Sequence, residues 1–383
     1  MALRILLGGI PLGCDNIGDE AILAGVVRML RSIDGSFELT VATADPATGP
    51  LLGVKTVPLW GEDAIASCDV FIWCGATGLS DYPDRALDLV ELAQRRGKAT
   101  FVWGVGMDDE LNPVYFKVHG KRRLALKLAG FGSDFFVRAY ERRLERRLAA
   151  RLSRVLARCR GIWLRDEPSR AKLLSLAPDL TVRVTADSAL DFTNHQSPVT
   201  PHSALCTLHS TLGLCISTQR QVRDLAGLKS FIAAVRAAGY SIIGLAMNPK
   251  TDRALMESLG VECVAGSTPE AITEAASRCD LVLSSRLHLL ILAANAGTPV
   301  RGIARGSKLA NFLANFGLGV EGSVYDCDWR ALASRVIADL ANPGLKSSFA
   351  PVRAAAYRAL SERFAASSAE LASCLARLTY SRA

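Results

Sequence analysis

The sequence predicts an α/β fold of two Rossmann-like domains that face each other across a cleft, and three features of the chain support this prediction. Short apolar runs alternate with amphipathic segments along nearly all 383 residues, which is typical of parallel strands joined by right-handed helical crossovers. Two prolines interrupt the alternation at residues 192–204, as an interdomain linker would. The length also exceeds what a single core usually accommodates.

The first domain is predicted over residues 1–191. Its apolar runs are continuous and rich in β-branched or aromatic residues, as expected for strands buried on both faces. Acidic residues near the starts of several intervening segments favour helices through the helix dipole. The predicted strands are Leu3–Gly9, Phe37–Thr43, Val70–Gly75, Ala99–Gly104, Gly161–Leu164 and Thr181–Thr185. The predicted helices are Asp19–Ser32, Asp84–Arg96, Ala139–Arg158 and Glu167–Leu176.

The second domain is predicted over residues 205–348, where the same alternation resumes. A tail at 349–383 is rich in Ala, Leu and Arg, and we expect a helix there, at about 349–378, that crosses back to the first domain. The predicted strands are Leu212–Ser217, Ser241–Ala246, Val261–Ala265, Asp280–Ser284 and Pro299–Ala304. The predicted helices are Gln221–Ala238, Thr251–Leu259, Pro269–Arg278, Leu289–Ala296 and Ser307–Phe316.

The composition indicates a globular protein, since half of the residues are apolar and 21% are charged. No apolar run approaches the ~18 residues of a membrane span, and the run Leu3–Ile10 lacks the features of a signal peptide. The ten cysteines are scattered, which favours free thiols in a reducing compartment. We therefore expect a soluble, cytoplasmic protein.

One cluster has a spacing that also fits a metal site. His195, His202, Cys206 and His209 lie within fifteen residues. No carboxylate lies nearby, and the stretch leads from the linker into a strand. We therefore expect no metal site there.

Positive charge is concentrated in one segment. The net charge is +8, but residues 117–160 hold fourteen Lys and Arg against three acidic residues. We expect this segment to make a peripheral contact with the inner membrane surface, through anionic lipid or the diphosphate of a lipid-linked acceptor. The alternative is a domain helix with a solvated charged face. Nucleic acid is not expected as a partner, because aromatic residues are not interleaved with the basic ones.

Ligands of open α/β sheets bind beyond the carboxyl ends of the strands, and three loops in the first domain occupy such positions. The loop Gly8–Glu20 offers glycines and the polar residues Asp15, Asn16 and Asp19, although an ordinary tight turn capped by Asp15 or Asn16 is the alternative. The second loop, Gly75–Asp81, ends in Asp81. In the third, Arg165 follows a buried strand, and the alternative is a solvated arginine beside a helix cap at Asp166 or Ser169.

The strongest candidate is Arg286-Leu287-His288, which follows the buried strand Asp280–Ser284. Side chains two residues apart on an extended strand share a face, so we expect Arg286 and His288 to reach one ligand. The next strand ends beside them and is followed by Arg305 and Lys308. With Arg165, these cations suit a small, highly charged anion. The alternative for His288 is a core histidine hydrogen-bonded to a carbonyl.

In these motifs the chain resembles the polysaccharide pyruvyl transferases over nearly its whole length. The resemblance lies in the order of GCDNIGDEAIL, GATGLSD, WLRDEPS, ADSALDF, CDLVLSSRLHLLILAANAGTPV and GIARGSKLANF. Two positions depart from the family pattern. Ala76 and Thr77 interrupt a run of glycines, and Arg305 replaces the usual aromatic residue.

The resemblance implies a fold of the GT-B type and transfer of an enolpyruvyl group from phosphoenolpyruvate, with the donor bound mainly by the second domain. The implied product is a pyruvate ketal on a sugar. The implied sugar is N-acetylmannosamine in a lipid-linked precursor of a secondary cell-wall polymer that anchors surface-layer (S-layer) proteins. No cofactor is expected besides phosphoenolpyruvate, which is the donor substrate.

The site residues are carried over as expectations. The expected catalytic residues are His288, Arg165 and Arg286. The expected donor-binding residues are Arg286, Leu287, His288, Arg305, Lys308 and Arg165. The expected acceptor-binding residues are Asp15, Asn16, Asp19 and Asp81. The rival functions are a nucleotide-sugar-dependent glycosyltransferase of the GT-B type and a catalytically inactive sugar-binding or scaffold protein.

Overall fold

The computed structural model describes residues 2–76, 78–81, 83–191, 210–217 and 222–380. They form two compact units, each with its own parallel sheet. Unit 1 consists of Met1–Pro11, Met29–Ala186 and Ala366–Ala383, and unit 2 of Leu12–Arg28 and Asp187–Ala365. The predicted linker at 192–204 and the four residues weighed as a metal site lie outside the described residues. The predicted α/β class with two parallel-sheet domains is confirmed.

Unit 1 is built on a seven-stranded sheet in the order β3-β2-β1-β4-β5-β6-β7. The middle strands β4 and β5 are buried along their full length, which explains their continuous apolar sequences. The sheet reverses its winding between β1 and β4, the position where such sheets bind ligands. The strands are β1 Arg4–Gly8, β2 Glu38–Thr43, β3 Lys55–Pro58, β4 Val70–Cys74, β5 Ala99–Val105, β6 Gly161–Leu164 and β7 Arg183–Val184.

Helices connect these strands. The helices are α1 Ile17–Ile33, α2 Thr48–Leu52, α3 Ala64–Ser67, α4 Gly78–Asp81, α5 Pro83–Arg95, α6 Pro113–Phe116, α7 Gly120–Ala129, α8 Phe135–Leu156 and α9 Glu167–Leu176. Three fully buried tryptophans, Trp73, Trp103 and Trp163, form the centre of the core.

Unit 2 has a five-stranded sheet in the order β12-β11-β10-β8-β9. Its winding reverses between β8 and β10. The strands are β8 Thr211–Cys215, β9 Ser241–Gly244, β10 Leu281–Ser284, β11 Val300–Ala304 and β12 Val320–Ser323. The helices are α10 Leu225–Ala237, α11 Thr251–Ser258, α12 Pro269–Ser277, α13 Leu287–Asn295, α14 Ser307–Ala314, α15 Trp329–Ala341 and α16 Leu345–Tyr380.

The long helix α16 begins in unit 2 and contributes its last part, from Ala366 onward, to unit 1. Within unit 1, Glu370 accepts a hydrogen bond from Trp163 Nε1 at 3.0 Å and forms an ion pair with Arg183. These contacts agree with the predicted return of the tail to the first domain. Among the described residues, no helix is long and apolar enough to cross a membrane.

Some predicted elements differ from the observed ones. The predicted strand Val261–Ala265 is reduced to one bridge between Cys263 and Gly244. The short edge strands β3 and β12 were not predicted, because their sequences KTVP and VEGS lack an apolar run. The basic helix begins at Phe135, four residues before the predicted start, and α7 precedes it without having been predicted.

Candidate active site

Four strand ends of unit 2 converge on one set of polar side chains. Ser217 follows β8 and Asp252 follows β9, while Arg286 follows β10 and Arg305 follows β11. Ser217 is hydrogen-bonded from its backbone N–H to Ser285 Oγ at 2.8 Å, and Arg305 Nη1 donates to Ser217 Oγ at 2.8 Å. The carboxyl ends of parallel strands meet at one edge of the sheet, so the predicted location of a site in the second domain has a physical basis.

Arg286 is buried and rigidly held. Its Nε and Nη2 donate to the two carboxylate oxygens of Asp252 at 2.9 and 2.7 Å, and Asp252 is completely buried. A planar guanidinium bound by two parallel hydrogen bonds has a fixed orientation. The described residues therefore engage two of its three nitrogens and leave Nη1 for a ligand.

His288 does not lie on the strand, which corrects the reasoning that placed it on one strand face with Arg286. Strand β10 ends at Ser284, and His288 is the second residue of helix α13. Its Nε2 lies 3.5 Å from Asp187 Oδ2 and, within the described part of the chain, makes no hydrogen bond. The other side of the ring faces Gly18, where an added Cβ would lie 2.3 Å from Nδ1. The imidazole is thus wedged between a glycine and a buried carboxylate.

Asp19 is a buried carboxyl group beside this histidine. Desolvation raises its pKa, while the nearby charges of His288, Lys308 and Arg286 and a hydrogen bond from Asn16 act in the opposite direction. Asn16 Nδ2 donates to Asp19 Oδ2 at 2.6 Å. The structure therefore brings together two predicted acceptor-binding residues and three predicted donor-binding residues.

The segment Leu12–Arg28 belongs to unit 2 because of its packing there. Ile17 N–H donates to the carbonyl of Met247 at 3.0 Å, and Asp15 forms an ion pair with Lys250. Asn16 also caps the start of α1, since its Oδ1 accepts from Gly18 N–H at 3.3 Å. The loop is therefore both the capped turn considered from the sequence and part of the candidate site.

Two further predicted residues belong to unit 1. Arg165 is buried, and its Nε donates to Asp166 Oδ2 at 3.1 Å. Asp166 also caps α9 by accepting from Ser169 N–H at 2.8 Å, so the cap exists, but the arginine beside it is not solvated. Asp81 is the last residue of α4 and is half-buried. Their roles in donor and acceptor binding stay predictions.

Ala76, which stands where the family pattern has a glycine, adopts an unusual backbone conformation. Ala76 has a φ of 58°, in the left-handed region that favours glycine. Its neighbour Gly75 has a φ of 77°. Ala76 therefore adopts a backbone conformation that glycine adopts more easily, at a position where the family pattern has a glycine. Thr77 lies outside the described residues.

Sequence reasoning missed Asp187 and Asp252. Each lies far along the chain from the side chain it contacts, so no local pattern connects the two. Asp187 does occur in the quoted ADSALDF motif, and a carboxylate after a predicted strand was a usable signal. Asp252 gave no such signal, because it lies near the start of the predicted helix Thr251–Leu259, where an acidic residue is common.

Solved structures share the fold at low sequence identity. The chain is similar to the glycotransferase of kitacinnamycin, with a TM-score of 0.57, 14% identity and 99% of each chain covered. It is similar to HepE of Anabaena in complex with UDP, with a TM-score of 0.56, 15% identity and coverage of 98% of this chain and 100% of that chain.

A third similar structure is UDP-GlcNAc 2-epimerase from Neisseria meningitidis bound to UDP-GlcNAc. Its TM-score is 0.52 at 14% identity, with 95% of this chain and 99% of that chain covered. At such identities the likeness shows the fold, which is of the predicted GT-B type, and nothing more. No curated protein matches the chain in sequence.

The family model for polysaccharide pyruvyl transferase matches residues 16–307, which is more than half of the chain. The match begins at Asn16, directly before α1, and extends through His288 to the first residue of α14. It therefore covers the carboxyl-end residues that converge in unit 2. The chain belongs to the polysaccharide pyruvyl transferase family.

Proposed function

We propose that this transferase moves a pyruvyl group from phosphoenolpyruvate to two hydroxyls of a sugar and forms a cyclic ketal. The observation that carries the proposal is the group of basic side chains near one buried carboxyl in unit 2. Arg286, His288 and Lys308 all act electrostatically on Asp19. Phosphoenolpyruvate carries a phosphate and a carboxylate, and guanidinium and ammonium groups suit both.

The proposed acceptor is N-acetylmannosamine in a lipid-linked precursor of a secondary cell-wall polymer. Its pyruvylation would serve the anchoring of surface-layer proteins, and the reaction would take place on the cytoplasmic side of the membrane. Asp15, Asn16 and Asp19 are the proposed sugar-binding residues. Support comes from their position at the start of α1, where Gly18 packs against His288, since polar side chains there can reach the hydroxyls of a bound sugar.

In the proposed reaction His288 delivers a proton to C3 of phosphoenolpyruvate, and positive charge develops at C2. One sugar hydroxyl then bonds to C2 and loses its proton, which restores the proton on His288. The bond between C2 and the phosphate oxygen breaks, the second hydroxyl closes the ring at C2, and its proton leaves with phosphate. General acid catalysis of this kind contributes about 10²–10⁴-fold in rate.

The other residues of the site orient His288 and Arg286 and neutralise the charge of the donor before the proton transfer. Asp187 orients the imidazole through the contact at 3.5 Å. Asp252 fixes Arg286 so that Nη1 is directed at the donor without further rearrangement, as a preorganised site requires. Lys308 and Arg305 neutralise the remaining negative charge of the donor.

Mass spectrometry of an acceptor incubated with enzyme and phosphoenolpyruvate tests the proposal. We expect the lipid-linked N-acetylmannosamine substrate to gain the mass of one pyruvate less one water. His288→Ala should lower the rate by about 10²–10⁴-fold. The matched control is His119→Ala, because His119 is an exposed histidine of unit 1 whose side chain, among the described residues, hydrogen-bonds only to the carbonyl of Pro113.

A nucleotide-sugar glycosyltransferase is the rival function, and its support is the shared fold of HepE with UDP. Thermal unfolding separates the two. A ligand present at 100 times its Kd stabilises the native state by about 2.7 kcal/mol, so phosphoenolpyruvate should raise the Tm while UDP-sugars leave it unchanged. Stabilisation by a UDP-sugar alone, with no pyruvylated product, would favour the rival.

A further inference from the structure

The helical hairpin formed by α7 and α8 in unit 1 exposes large apolar side chains. Helix α7 packs on α8, yet none of its residues is buried. Leu124 and Leu128 are spaced four residues apart and so share one face of α7, and both are exposed. Phe135 at the start of α8 is exposed as well. Apolar side chains gathered in this way on a soluble surface mark an interaction site.

The turn of the hairpin presents the most exposed of these side chains. Phe131 has a relative exposure of 102% and a φ of 51°. A bulky residue in the left-handed region is strained, and a fully exposed phenyl ring gains nothing from folding. The strained backbone and the exposed ring are both explained if a binding partner or a lipid bilayer buries the ring. We refer to Leu124, Leu128, Phe131 and Phe135 as the hairpin tip.

Positive charge lies along α8 next to the hairpin tip. Exposed arginines follow it along α8, and within the described residues none of them has a carboxylate within ion-pair distance: Arg138, Arg142, Arg143, Arg146 and Arg147. By contrast, the C-terminal end of α8 packs firmly against the rest of unit 1. Leu148 and Leu152 are buried there, and Arg151 forms ion pairs with three carboxylates of α5.

We propose that the α7–α8 hairpin binds an anionic lipid bilayer, with the hairpin tip inserted among the acyl chains and the α8 arginines on the headgroups. Charge complementarity selects this partner, because apolar insertion combined with unpaired arginines is the pattern of an interfacial helix. Binding is a property of unit 1. That membrane binding serves catalysis rests on the proposed function, because a lipid-linked acceptor is itself held in a membrane.

Vesicle co-sedimentation of the full chain, without phosphoenolpyruvate or acceptor, tests the proposal. We expect binding to phosphatidylcholine vesicles with 30% phosphatidylglycerol as the probe, and weaker binding to phosphatidylcholine alone. Leu128→Ser with Phe131→Ser should lower the partition constant by about 100-fold, at about tenfold for each apolar side chain. Arg142→Glu with Arg146→Glu should lower it by at least about 25-fold, since one basic residue contributes about fivefold.

Matched controls exist elsewhere in unit 1. Leu51→Ser removes an exposed leucine, and Arg95→Glu with Arg96→Glu reverses two exposed arginines of the α5 end. Both controls should bind as the unaltered chain does. All altered side chains are exposed, so circular dichroism melting should be unchanged.

Three outcomes would overturn the proposal. The first is equal binding of the unaltered chain and the Leu128→Ser, Phe131→Ser variant. The second is a dimer in analytical ultracentrifugation that this variant disrupts, without any vesicle binding, which would assign the tip to a second copy. The third is tighter retention by single-stranded RNA than by vesicles. Because no substrate is present, loss of vesicle binding leaves the proposed activity untouched, and an inactive enzyme leaves the binding result valid.

Discussion

Gly18→Ala is the substitution that most directly tests the packing of His288. An added Cβ at Gly18 would lie 2.3 Å from Nδ1, 2.6 Å from Cγ and 2.8 Å from Cβ of His288. Because the contact extends to the Cβ atom, rotating the ring cannot relieve it. Either the side chain or the start of α1 must move.

The size of the effect differs between stability and activity. Ordinary carbon contacts are at about 3.5–4.0 Å, so the two groups must separate by roughly 1 Å. Overpacking costs about 1–3 kcal/mol, and alanine recovers at most about 0.5–1 kcal/mol over glycine, because Gly18 is only the second residue of α1. The net loss of stability is therefore small. A displacement of 1 Å at a catalytic group, however, costs about 10²-fold in rate.

We therefore expect Gly18→Ala to lower kcat/KM about 100-fold and the Tm by only a few degrees. The assay measures pyruvylated product over time, beside differential scanning calorimetry of the same sample. Gly319→Ala is the matched control, because Gly319 lies in unit 2 and an added Cβ there meets nothing within 4 Å. It should leave both quantities unchanged.

The result that refutes this reasoning is a folded Gly18→Ala variant with kcat/KM within threefold of the unaltered enzyme. In that case His288 either tolerates displacement or takes no part in the rate-limiting step. A large loss of Tm together with the loss of activity would instead indicate that the α1 start has detached, and Gly18 would then have a structural role.

Three further predictions concern buried charge and backbone strain. Asp252→Asn should lower the free energy of unfolding by about 3–5 kcal/mol in urea titrations, because it leaves the buried Arg286 uncompensated. Asp19 has a raised pKa in the folded state, so its stabilising contribution is present below its ordinary value of 3.8 and is lost as the pH rises through the folded pKa. Asp19→Asn should therefore raise the Tm at neutral pH and leave it nearly unchanged in acid. Ala76→Gly should stabilise the chain by about 1–2 kcal/mol, because φ is 58° at this position.

Each of these has a control. Glu274→Gln breaks an exposed ion pair with Arg278 and should lower the free energy of unfolding by less than about 1 kcal/mol. An equally small loss for Asp252→Asn would contradict the claim that the buried pair with Arg286 matters for stability. A Tm difference for Asp19→Asn that stays constant with pH would show that titration of Asp19 is not its source. Ala47 has a φ of −65°, so Ala47→Gly should not stabilise the chain. An equal gain in stability from Ala47→Gly would show that backbone strain is not the source of the effect at Ala76.

The fold was predictable where burial is complete. The helix Glu167–Leu176 and the buried strand Gly161–Leu164 were predicted with the observed bounds. The other buried strands differ from their predicted bounds by one or two residues at an end. The sequence contains no comparable signal for β3 or β12, since an edge strand is defined by its pairing with a neighbour and needs no apolar run of its own.

The candidate site was predictable in part for the same reason. Arg286 and His288 are conspicuous because polar residues seldom follow directly on a buried strand. Their partners are ordinary acidic residues in sequence and become significant only when tertiary structure brings them within 4 Å, as with Asp252 and Asp187. The assignment of Asp19 to unit 2 likewise depends on long-range packing, which a reading in chain order cannot supply.

The acidic partners explain how an anion site can exist in a folded chain before its ligand arrives. An unpaired guanidinium in the interior costs several kcal/mol, so a buried cluster of cations needs nearby carboxylates to be stable. Asp252 supplies this for Arg286 while fixing two of its nitrogens. The carboxylates therefore hold the cations in place for the anion, and a variant that removes one should weaken both folding and donor binding. This coupling would distinguish a preorganised site from one assembled by the substrate.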